Sequence, residues 1–143
     1  MTSSAPLPDT AVTALARARE ALVEAATATA PGPRYAAAHV AALRATAALL
    51  AVRTRPASRR RQRNAWTLLA QVAPELEEWA VFFSAGAGKR AAAEAGLSRA
   101  VSTRDADDLL RDSGRFLALV ERLLAVPSAY DPSQLPLPPA RAS

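Results

Sequence analysis

Apolar residues recur at spacings of three and four along four long segments, which predicts an all-α protein without sheet. In the first segment, Val12, Leu15, Leu22 and Ala26 form the inward stripe of a helix capped by Asp9 or Thr10. It should run to about Thr29, with Arg17, Glu20 and Glu24 facing water. Pro31-Gly32-Pro33 then breaks the chain, and Arg34 opens a second helix that reaches Arg53. Counted from Tyr35, residues His39, Leu43, Thr46 and Leu50 share one face of that helix, and Ala36, Val40 and Ala47 widen it. The pattern makes it the central helix, with His39 turned towards the others. Asn64 caps a third segment, whose stripe begins at Trp66, Leu69 and Val72. Pro74 predicts a kink or short break at Ala73. Leu76, Trp79, Ala80, Phe83 and Ala87 then continue the stripe to about Ala95, and Gly96 ends it. Ser102 and Asp105 form a capping box for the last helix, which should run to about Ala125. Its inward side is Leu109, Leu110, Phe116, Leu117, Val120, Leu123 and Leu124.

The expected architecture is therefore a four- to five-helix, mostly antiparallel bundle over residues 9–125. Residues 1–8 form a short polar lead, and residues 126–143 carry five prolines between 127 and 139 without a burial pattern. Both ends are expected to be disordered.

Composition sharpens this picture in two ways. Alanine supplies 37 of the 143 residues, so the inner surfaces are built largely from a strong helix former that lets helices approach closely. There is no cysteine and one histidine, so neither a disulfide framework nor a structural zinc site is expected. No cofactor motif is present. The stretch Gly86-Ala87-Gly88-Lys89 fails as a phosphate loop, because Phe83 sits where a glycine is required and Arg90 where Ser or Thr is required. Its glycines are better suited to letting another helix pass closely. Met1 to Pro6 contain neither a basic region nor an apolar run, and no uncharged apolar stretch approaches the ~18 residues of a spanning helix. A cytoplasmic protein without membrane contact is expected, and the 17 arginines against one lysine suggest a bacterial source.

Charge is distributed very unevenly. Arg53, Arg55, Arg59, Arg60, Arg61 and Arg63 put +6 into eleven residues of a chain whose net charge is +5. The remainder is close to neutral, at 5 − 6 = −1. Pro56 forbids helix there, and mutual repulsion favours an extended, exposed segment. Such a segment is a candidate phosphate-contacting arm for RNA or another nucleic acid, although no aromatic residue interleaves the arginines to stack bases. A solvated connector has the same composition. Asp107, Asp108 and Asp112 stand three and four residues from Arg104, Arg111 and Arg115, which predicts an exposed charge lattice and not a metal cluster. Trp79, Phe82 and Phe83 are expected in the core, with room for one aromatic on a partner surface.

Several segments together resemble a known family. They are Arg34-Tyr35-Ala36-Ala37-Ala38-His39, Ala65-Trp66-Thr67-Leu68-Leu69, the run from Ala73-Pro74-Glu75 to Phe83, Ala87 to Gly96, and Ala106-Asp107-Asp108-Leu109-Leu110. In this order they look like a small bacterial, alanine-rich branch of the HEPN domains (higher eukaryotes and prokaryotes nucleotide-binding). The resemblance implies a helical bundle, often dimeric or paired with a cognate protein, in RNA cleavage, toxin–antitoxin or defence systems. It also implies that Arg34 and His39, separated by four residues, match the arginine–histidine pattern of metal-independent HEPN ribonucleases. Other members are binding or assembly modules. The chemistry is coherent, since an imidazole can move the 2′-hydroxyl proton while a guanidinium holds the phosphate. A histidine packed beside Tyr35 and Leu43 and hydrogen-bonded to a neighbouring helix fits the same residues. Three function classes stay open: a nucleic-acid-associated binding or assembly module, a ribonuclease, and a helical interaction bundle without a nucleic-acid role.

Overall fold

The computed structural model describes residues 6–55, 64–97 and 99–126. In chain order the helices are α1 (Asp9–Thr27), α2 (Pro31–Arg53), α3 (Ala65–Val72), a 3-10 turn (Pro74–Leu76), α4 (Glu77–Ala85), α5 (Ala87–Glu94) and α6 (Thr103–Leu123). No strand occurs among the described residues. The all-α expectation holds, and α2 is the central helix. It packs most extensively against α1 and α6 and also touches α3 and α5. Encirclement explains why Ala37, Ala41 and Ala48 are buried as well as Tyr35, Ala38, His39, Ala42, Thr46 and Leu49, which share one stripe. By length and composition α2 is apolar enough to cross a membrane, with a mean hydropathy of 1.5, but 61% of that window is buried inside the bundle.

The α1 stripe lies one position away from the expected one. Ala11, Leu15, Ala18, Ala21 and Ala25 are buried, Leu22 is half-buried, and Val12 is 52% exposed. Close helix contact favours the smallest side chains, so the alanines face α2 and the larger valine is left outside. The helix ends at Thr27, and Pro8, which has no side-chain cap, precedes it. The turn after it is also shorter than expected. Pro31 is already helical, with its ring in the first turn where no amide is needed, so Ala28 to Ala30 make the connection.

The third segment breaks twice. The break at Ala73 is as the proline predicts. The second falls at Gly86, which ends α4 and starts α5, so the expected continuous helix to Ala95 is two helices. Gly96, at φ +82°, closes α5 in the left-handed conformation that glycine adopts at least cost. Asn64 caps α3 by accepting from the amides of Trp66 and Thr67, and the Ser102–Asp105 capping box opens α6.

Phe83 is the hinge of the core. It stacks on Trp66 at 5.2 Å and on Trp79 at 5.8 Å between ring centroids, and meets Phe116 edge-on at 5.0 Å. These rings tie α3, α4 and α6 together, each pair adding about 0.5–1.5 kcal/mol beyond its burial. On α6, Leu123 is 39% exposed, and the buried side instead takes in Asp112, Ser113 and Glu121. Asp112 is thus not part of an exposed lattice. The expectations of disorder at residues 1–8 and 126–143 fall mostly outside the described residues, as do residues 56–63 of the expected extended segment; of the described ones, Leu7 and Val126 are half-buried and pack against the core.

Candidate functional site

His39 sits on the inner face of α2 and is 1% exposed. Its position there follows from α3 and α4 closing over that face, with Trp66 at 5.7 Å and Phe83 at 6.2 Å, both edge-on to the imidazole. Nε2 lies 2.8 Å from the carbonyl oxygen of Phe83. A carbonyl only accepts, so Nε2 carries the proton and Nδ1 is the unprotonated nitrogen. Nδ1 is buried with no hydrogen-bond partner. The Phe83 carbonyl is available because α4 stops at Ala85: carbonyls in a last helical turn lack the usual partner, and this one accepts from Gly86 and His39. Burial pulls the imidazole pKa below its ordinary value of 6.5, against the opposing effect of that hydrogen bond. Arg90 and Glu94 of α5 act on the ring with opposite signs.

Arg34 is engaged elsewhere. Its Nε donates to the carbonyl of Ala25 at 3.1 Å and Nη2 to that of Ala28 at 2.7 Å, while Nη1 pairs with Asp107 at 2.6 Å. One guanidinium thus satisfies the open carbonyl end of α1, complements its dipole and ties it to α6. Arg34 and His39 share no partner: the first works at the α1–α6 seam, the second beneath α4.

A cavity of about 280 Å³ opens beside His39, lined also by Tyr35, Phe82, Gly86, Lys89 and Leu109. Phe82, expected in the core, is half-buried here. The Tyr35 hydroxyl points at the Gly86 carbonyl across a long 3.5 Å, and burial first, then Asp105, pushes its pKa up. Lys89 pairs with Asp105 at 3.3 Å, so the mouth is close to neutral. The expectation of close helix passage at the Gly86 stretch holds at Gly86, where an added Cβ would stand 2.7 Å from Tyr35 Oη. Gly88 has open space around it. A second, open groove of about 610 Å³ lies between α3 and α4, lined by Trp66, Ala70, Glu77, Ala80, Val81 and Ser84 among others. Among the described residues no group of three or more His, Cys, Asp or Glu is placed to hold a metal ion.

Of the arginine segment, Arg53 ends α2 and pairs with Glu75 at 2.8 Å, and Arg55 is exposed. Arg59, Arg60, Arg61 and Arg63 lie outside the described residues. The sequence reading missed two buried carboxylates. Glu121, 2% exposed, takes Nε and Nη2 of Arg19 on one oxygen at 2.8 and 2.6 Å. Asp112 is met by Arg111 at 3.3 Å and Arg115 at 3.9 Å, yet burial outweighs both and raises its pKa. Both acids alternate with arginines along the chain, as solvated acids do, so no local signal separated them.

The family model HEPN_SAV_6107-like HEPN matches residues 25–121, more than half of the chain. Nothing among curated proteins or solved structures matches.

Proposed function

Because the chain belongs to the HEPN family, we propose that it is a non-catalytic binding or assembly module that associates with nucleic acid through the arginines of residues 53–63. The observation that carries this reading is how the two side chains of the arginine–histidine pattern are used. Arg34 is spent on two helix carbonyls and Asp107, and His39 is shut beneath aromatic rings with Nε2 on a backbone carbonyl. A general base has to come within hydrogen-bond reach of the proton it takes; although His39 borders the cavity, it is only 1% exposed, its Nε2 is engaged and its Nδ1 is buried. The nucleic-acid side rests on charge. One short segment carries +6, against a net charge of +5 for the whole chain, and arginine pairs with phosphate oxygens in a bidentate fork. The exposed Arg53–Glu75 pair is a weak competitor for a phosphate.

A 5′-labelled single-stranded RNA tests both sides. The parent protein should bind it and leave it intact. Replacing Arg59, Arg60 and Arg61 by alanine should weaken binding and flatten the log–log salt dependence by about two units, at ~0.7 per lost contact. Unchanged affinity at low salt would make the segment a solvated connector. Cutting that survives a chelator and stops in His39→Ala and Arg34→Ala would replace this reading with a metal-independent ribonuclease.

A further inference from the structure

The start of α1 and the second half of α2 run alongside each other and leave a surface groove of about 360 Å³. Its lining is Asp9, Thr10, Thr13, Ala14 and Arg17 from α1, with Arg44 and Ala47 from α2. Thr10, Thr13 and Arg17 follow one another at spacings of three and four and so share a helix face. Most arginines on the helices are in ion pairs, as Arg19, Arg34, Arg53 and Arg111 illustrate. Arg17 and Arg44 are different: both are exposed, and neither has an ion pair or hydrogen bond among the described residues. Two unneutralised guanidinium groups therefore flank one groove from opposite helices, above a floor of two alanines and beside two hydroxyls.

We propose that this groove holds a phosphate of a single-stranded RNA backbone, with Arg17 and Arg44 as the clamp and Thr10 and Thr13 as donors. The proposal rests on the reading above that the domain associates with nucleic acid, and adds a site that the arginine segment does not contain. Two arginines on rigid helices present forked donors to phosphate oxygens without first ordering a loop. The alanine floor admits a sugar–phosphate unit close to the helix backbones. A backbone fits better than a lone phosphate because the cations form a line. Arg53, the last residue of α2, stands nine residues from Arg44, roughly 14 Å along the helix axis, and the exposed Arg55 follows just beyond the helix end. The line thus leads from the groove to the basic segment. Asp9 is the one carboxylate in the lining and works against an anion there.

The test uses the full chain and a 5′-fluorescein-labelled uridine 15-mer, titrated from 0.05 to 0.3 M salt. Arg17→Gln with Arg44→Gln should flatten the log–log slope by about 1.4 units, and a loss of that slope corresponds to roughly 25-fold weaker binding at 0.1 M salt. The melting temperature should not move, because both side chains are exposed. Asp9→Asn should tighten binding, and uridine monophosphate should compete poorly. Retention of parent affinity and slope by the Arg17/Arg44 variant would overturn the proposal, as would weakened binding in Asp9→Asn or full competition by the monophosphate. If that variant binds like the parent while Arg59→Ala/Arg60→Ala/Arg61→Ala does not, the groove fails and the wider reading stands. If the parent does not bind the 15-mer at 0.05 M salt, both fail.

Discussion

His39 contributes a hydrogen bond, two edge-on ring contacts and an unpaired buried nitrogen, and each has a measurable consequence. His39→Ala should lose about 1–3 kcal/mol in urea unfolding, from the cavity and the lost bond to Phe83. A variant as stable as the parent would mean that the site collapses without cost. Acid should act through the same residue. Its folded pKa lies below 6.5, so above that value neither state is protonated and stability is flat. As pH falls through 6.5 the unfolded chain takes up a proton first, and stability drops until the folded-state value is reached. Urea unfolding should therefore show stability falling as pH is lowered from about 7.5 through 6.5, and His39→Phe should flatten that dependence. Asp112 acts in the opposite direction and at lower pH, since burial raises its carboxyl from 3.8. The inward placement of His39 was legible from its spacing with Thr46 and Leu50. Its partner was not, because a free Phe83 carbonyl depends on where α4 ends.

At the scale of elements, Gly86 decides that ending. The capping residues Asn64, Ser102 and Asp105 and the break at Pro74 were readable, because their effects are confined to one turn. The division at Gly86 was not. Apolar spacing continues through it, and what makes the glycine necessary is Tyr35, 51 residues earlier. A Cβ there would crowd a hydroxyl on a rigid ring that is only 6% exposed. Gly86→Ala should therefore destabilise by about 1–2 kcal/mol, overpacking exceeding alanine's helix preference. The same change made in a Tyr35→Phe background should cost less, since the crowded oxygen is gone. Equal costs in both backgrounds, read from a double-mutant cycle, would place the strain elsewhere.

Across the whole molecule, the alanine content determines how the bundle holds together. Helices that meet through alanine gain little from any one side chain and depend on covering each other over their full length. The bundle and its central helix were visible from composition and spacing. The precise inner face of α1 was not, because ranking positions by side-chain size selects Val12 where close packing selects Ala11 and Ala18. The family match begins at Ala25, near the end of α1, yet the turns before it cover α2 through Ala11, Leu15, Ala18 and Ala21. At about 0.8 kcal/mol per buried methyl-sized group, stripping both surfaces costs several kcal/mol, comparable with the 5–15 kcal/mol that hold a typical domain folded. It would also uncover a helix with a mean hydropathy of 1.5. A chain begun at Ala25 should therefore lose its cooperative thermal transition and self-associate in size-exclusion chromatography. A monodisperse monomer melting within about 5 °C of the parent would mean that α1 is an accessory, and that α2 is stabilised by α6 and the aromatic cluster alone.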